Sequence, residues 1–120
     1  MLISCTKSDS DSKTGQSAYP KDVSITYRIT RTTGTGSIVN LSYTNASGGD
    51  TNVASSTIQF TATVNRSVAY NNVISLGTSI TAGTGTTTIL TEILVDNVVV
   101  KSQTDSGTNS FSIAVVYQFL

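Results

Sequence analysis

Histidine and tryptophan are missing from this chain, and cysteine, proline and methionine occur once each. Without histidine, the commonest general base and metal ligand is gone. The single cysteine, Cys5, cannot close an internal disulfide, so the fold has to stand on packing. Charge is scarce as well. Asp, Glu, Lys and Arg make up 12% of the chain, about half the usual ~25%. Seven Lys plus Arg balance seven Asp plus Glu, which leaves no basic footprint for nucleic acid or an anionic membrane. No apolar run approaches the ~18 residues of a membrane-spanning helix.

Thr, Ser, Val, Ile, Asn and Gly are abundant, the palette of β-branched strands joined by small polar turns. The most informative stretch is Thr86–Gln103, TTTILTEILVDNVVVKSQ. It reads as a β-hairpin with Asp96-Asn97 at its tip, because both residues tolerate the positive φ that a type I′ turn needs. That turn implies a register. Val95 pairs with Val98, Ile93 with Val100 and Thr91 with Ser102 on a core face. Leu94 pairs with Val99 and Glu92 with Lys101 on the other face, the last pair setting opposite charges together for roughly 0.2–1 kcal/mol.

Alternation predicts the remaining strands. Val23–Thr30 points Val23, Ile25, Tyr27 and Ile29 inward, and Ser37–Thr44 does the same with Val39, Leu41 and Tyr43. Thr51–Ala54 reads as a short edge strand, followed by Thr57–Val64 with Ile58, Phe60, Ala62 and Val64 inward. Val73–Thr81 presents Ile74, Leu76 and Ile80, with Gly77 marking a bulge or a close backbone approach. Ser110–Phe119 aligns Phe111, Ile113, Val115, Tyr117 and Phe119. Turns and loops fall at Thr32–Gly36, Asn45–Asp50, Asn65–Asn72, Ala82–Gly85 and Thr104–Ser110. No helical period survives in any window. About seven or eight short strands at this spacing predict an all-β fold, an antiparallel immunoglobulin-like β-sandwich over residues 22–120, with a small barrel as the alternative.

Residues 1–21 have no usable periodicity. The run Lys7–Ser17, KSDSDSKTGQS, is small and polar. Such composition buries too little apolar surface to offset the entropy of ordering, so this part is expected to be a flexible tether. At its head, Leu2-Ile3-Ser4-Cys5 resembles a bacterial lipobox, with an aliphatic residue three before the cysteine and a small one just before it. The resemblance implies that Cys5 becomes a lipidated N-terminus and that the membrane is a partner through this anchor. It places the protein in the bacterial cell envelope, at the outer membrane or cell surface. The polar run is similar to the tether of surface-exposed lipoproteins of the Bacteroides group.

Three further pieces resemble the small mycobacterial membrane-protein-S family and its bacterial relatives. They are Ile25-Thr26-Tyr27, the segment Thr91–Val100 (TEILVDNVVV) and the final strand. The family carries a strand–turn–strand close to ITVDGKVV, and Asn97 stands where it prefers glycine. The resemblance implies an anchored extracytoplasmic β-sandwich that assists lipid-exporting transporters. The family's paired cysteines have no counterpart here.

Enzymatic chemistry finds little footing. Ser4-Cys-Thr-Lys7 and Ser10-Asp-Ser-Lys13 match the S-x-x-K nucleophile spacing, but that motif works on a helix and these runs have low helix propensity. Gly34-Thr-Gly36 and Gly83-Thr-Gly85 precede strands, whereas a phosphate cradle needs a helix N-terminus. Asp50, Asp96 and Asp105 sit where Asx turns explain them. No cofactor or metal is expected. Leu90, Leu94, Val99, Ala114 and Val116 all point away from the expected core face. If the hairpin and the last strand are neighbours, these five form an apolar stripe, a possible contact surface for an envelope protein or lipid. The expected function is therefore a non-enzymatic envelope lipoprotein, a binding or accessory module of a surface or transport complex. The alternative is a pilin- or adhesin-like assembly subunit that accepts a donor strand on an open edge.

Overall fold

The computed structural model describes residues 18–120, whose fold is all-β. Nine strands follow one another: β1 Lys21–Thr33, β2 Gly36–Thr44, β3 Asp50–Val53, β4 Ser56–Thr57, β5 Phe60–Val68, β6 Val73–Ala82, β7 Thr87–Val95, β8 Val98–Gly107 and β9 Ser110–Gln118. They make two antiparallel sheets. One has the order β5-β1-β7-β8; the other runs β3-β2-β6-β9, with β4 also pairing with β2. The count exceeds the expected seven or eight because the segment after Asn45–Gly49 breaks into two very short strands before β5.

The core lies between the sheets and is built by period-two alternation. In β1, Val23, Ile25, Tyr27 and Ile29 are buried; across from them stand Ile74, Leu76 and Ile80 of β6 and Ile113 and Val115 of β9. Two threonines of β7, Thr87 and Thr91, share this inner face and are fully buried. Thr87 Oγ1 donates to the Thr35 carbonyl, whereas Thr91 Oγ1 has no partner.

The hairpin forms with its expected tip. Asp96 and Asn97 have φ of 51° and 70°, as a type I′ turn requires. Val95 pairs with Val98 and Leu94 with Val99. Beyond that the register departs from expectation. Val100 is an extra residue in β8, a β-bulge, so Ile93 pairs with Lys101, Glu92 with Ser102 and Thr91 with Gln103. Partners in a ladder share a face, so Glu92 and Lys101 lie on opposite faces and cannot form the expected charge pair. Val98 is 62% exposed rather than part of the core. The two-layer arrangement is unaffected, because it rests on the alternation of β1, β6, β7 and β9.

A second bulge corrects β2. The register with β6 shifts between Ile38 and Asn40, so Ile38 and Leu41 both turn inward and Val39 turns out. The strand expected at Thr57–Val64 is displaced: Gln59 has φ 121°, and β5 runs on to Val68. The Asn65–Asn72 loop therefore shrinks to the residues after Val68. The Thr104–Ser110 loop likewise shrinks, because β8 extends to Gly107 and β9 starts at Ser110. Gly77 makes no bulge in β6; a Cβ there would meet nothing within 4 Å.

Candidate functional site

The five residues expected to form one apolar stripe are divided between two surfaces. Leu90, Leu94 and Val99 lie on the outer face of the β5-β1-β7-β8 sheet, because their ladder partners are Thr30, Thr26 and Leu94. Ala114 and Val116 lie on the outer face of the other sheet, opposite Gly77 and Ser75 of β6. The stripe required the hairpin and β9 to be sheet neighbours. Instead β9 pairs with β6, and the turn between Gly107 and Ser110 carries the chain from one layer to the other. Leu94 is only 7% exposed, whereas Val99 and Val116 are 44% and 50% exposed. Cys5, the expected lipidation residue, and the Leu2–Ser17 motifs lie outside the described residues.

The first outer face is organised in rows across the ladder. One row reads Thr63, Thr26, Leu94, Val99; the next reads Thr61, Arg28, Glu92, Ser102. Thr26 and Thr63 join through their hydroxyls at 3.1 Å. Glu92 finds Arg28 in place of Lys101: Arg28 Nε donates to Glu92 Oε1 at 2.8 Å. The pair is unequal, with the arginine side chain 41% exposed and the glutamate 12%. Removing the arginine strands a largely desolvated carboxylate, whereas removing the glutamate leaves a guanidinium that water can still reach. Arg28→Met should therefore cost about 1–3 kcal/mol, against about 1 kcal/mol or less for Glu92→Gln. Urea unfolding of the two variants measures the difference, and equal losses would contradict this asymmetry.

Arg66 has a different place from the one its neighbours in sequence suggested. Phe60, Ala62, Val64, Arg66 and Val68 share one parity in β5, and Arg66 pairs with Val23 of the inner face. Its side chain is thus turned between the sheets at their edge. Nη2 reaches Asn72 Oδ1 at 3.5 Å, and Nε is buried without a partner. The same parity that picked out Val64 could have found it. The Arg66 charge bears on Tyr27, whose hydroxyl donates to the Thr44 carbonyl at 2.7 Å. Burial pushes the Tyr27 pKa up from 10.0 to about 12, although the Arg66 charge pulls it the other way.

Other polar groups serve the fold. Asp96 Oδ1 accepts from the Ser24 amide at 2.9 Å, while the Asp96 amide donates to the Ser24 carbonyl at 2.8 Å, tying the hairpin tip to β1. Asp105 lies within β8 and caps the Ser106 amide at 3.0 Å. Among the described residues no three His, Cys, Asp or Glu side chains come together, and no helix is long and apolar enough to cross a membrane. A groove of about 400 Å³ runs along β1 and β5, lined by Asp22, Val23, Asn65, Arg66 and Ser67. Another, of about 460 Å³, separates the start of β8 from the end of β9 and is lined by Val100, Lys101, Val116, Tyr117, Gln118 and Leu120.

Compared with known proteins, the chain matches no family model and no curated protein.

Proposed function

We propose that this chain is a non-enzymatic lipoprotein of the bacterial cell envelope, held at the membrane by lipid on Cys5 and acting as a binding or accessory module of a surface or transport complex. The observation that carries the reading is the order Leu2–Cys5, then the polar run to Ser17, then a folded body. The geometry of the body suits a tether. Tyr19 Oη donates to the Leu120 carbonyl at 3.1 Å, and Lys21 begins β1 opposite Val68. Among the described residues the chain therefore enters the sandwich at the pole that holds Leu120 and Val68.

An immunoglobulin-like architecture fits the same reading. The pairing of β1 with β5 and of β2 with β6 follows the B–E and C–F pairs of that sandwich. The β7–β8 hairpin takes the place beside B, and β9 the place beside F. The lipid-export accessory role of the membrane-protein-S family is one form such a module takes.

The test is metabolic labelling with a tagged fatty acid in the cells that make the protein. Label should enter the wild type and vanish in Cys5→Ala. Absence of label, or label retained by Cys5→Ala, would remove the anchor.

A further inference from the structure

A sheet edge is a row of unpaired backbone donors and acceptors, and natural proteins blunt their edges with short strands, charges, prolines or bulges. Among the described residues three of the four sheet edges are blunted in these ways. The β3/β4 edge consists of strands of four and two residues and carries Asp50. The β5 edge turns Arg66 inward. The β8 edge has the bulge at Val100 together with Lys101 and Asp105.

The edge of β9 has none of them. Its nine residues, SFSIAVVYQ, pair with β6 without a break in register and include no charge and no proline. Among the described residues its second edge has no strand partner. Large apolar side chains are also left exposed around it. Val116 lies on the strand, Leu120 just beyond it, and Val73 is the ladder neighbour of Gln118, whereas Val39, Val98 and Val99 belong to other strands.

We propose that β9 is an interface between two copies of this chain, pairing antiparallel with its own counterpart about a two-fold axis at Val115. The strand is self-complementary in that register. Ala114 faces the partner's Val116 on the outer surface, and Ile113 faces the partner's Tyr117 on the inner one. Ser110 to Leu120 overlap over their whole length. Because the segment carries no charge, a symmetric copy brings no like-charge repulsion. The two four-strand ladders that end in β9 become one continuous sheet, and the partner's inward side chains close over the groove beside Tyr117 and Leu120. This inference does not depend on the lipid anchor.

The experiment is sedimentation equilibrium of the full chain under reducing conditions, so that Cys5 cannot cross-link. The wild type should pass from monomer to dimer as concentration rises. The double variant A114K/V116K sets lysines opposite each other twice and should remain monomeric; A114K/V116E sets opposite charges together and should recover the dimer. Both pairs of substitutions fall on exposed outer-face positions. Hydrogen exchange on the wild type gives a reading that needs no variant: β9 amides turned away from β6 should gain protection with concentration. A wild type that stays monomeric, a dimer indifferent to A114K/V116K, assembly beyond dimers, or protection that is the same at every concentration would each overturn the proposal.

Discussion

Truncating Tyr27 to alanine is expected to cost about 3–5 kcal/mol, the range for emptying a large aromatic site in a core. The residue is fully buried, and its ring stacks beside Tyr43 at 5.0 Å between centroids, with Phe60 following Tyr43 at 6.1 Å. That loss is a large share of the ~5–15 kcal/mol by which domains are stable. Tyr27→Phe separates the hydroxyl from the ring. It leaves the Thr44 carbonyl without its 2.7 Å donor, for about 1–3 kcal/mol.

The same hydroxyl gives a pH signature. In the folded chain burial holds the Tyr27 proton up to about pH 12, while the unfolded chain releases it near the ordinary value of 10.0. Above pH 10.0 the native state thus binds more protons than the unfolded one, and stability falls as pH rises. The contribution is intact below 10.0 and is lost by about 12, for roughly 2–3 kcal/mol in total. Urea unfolding across that window should show the wild type losing stability relative to Tyr27→Phe, which has no such proton to release. Parallel curves would contradict the burial of the Tyr27 hydroxyl.

Replacing Gly34 by alanine is expected to destabilise by about 3 kcal/mol or more, from two independent causes. The φ of +80° belongs to the left-handed region, costly for a residue with a Cβ. A Cβ there would also run into the Thr86 carbonyl oxygen and come within 2.7 Å of the Thr87 Cα, both backbone atoms that cannot step aside. Gly34 leads into a knot at the pole opposite Tyr19. The Thr35 carbonyl accepts from the Gly83 amide at 2.7 Å and from Thr87 Oγ1, and Thr35 Oγ1 accepts from the Thr84 amide at 3.1 Å. Thermal unfolding should show a large fall in midpoint for Gly34→Ala and little change for Gly77→Ala, whose added methyl meets nothing.

The sequence is legible where one face is buried and the turn chemistry is explicit. β1 alternates from Val23 to Thr30 and β9 along its length, and their inward residues are those that pack. Asp96-Asn97 names its own turn. The bulges of β2 and β8 are not legible, because they fall where apolar residues are consecutive: Ile38-Val39 and Val98-Val99-Val100 offer no alternation that marks which residue is extra. The loss of the Glu92–Lys101 pair follows directly from the second of these. Arg66 escaped because a charge on an inward parity reads as the end of a strand, although β5 continues to Val68. The division of the expected contact stripe has another cause. Alternation assigns a residue to a face but does not say which strands are neighbours, and the topology places β9 beside β6.

The anchored-module reading is tested most directly at the amino terminus of the mature protein. Mass spectrometry of the protein extracted with detergent from the membranes of the cells that make it should find Cys5 as the first residue, carrying acyl chains. A chain that retains the residues before Cys5, with an unmodified thiol, would contradict it.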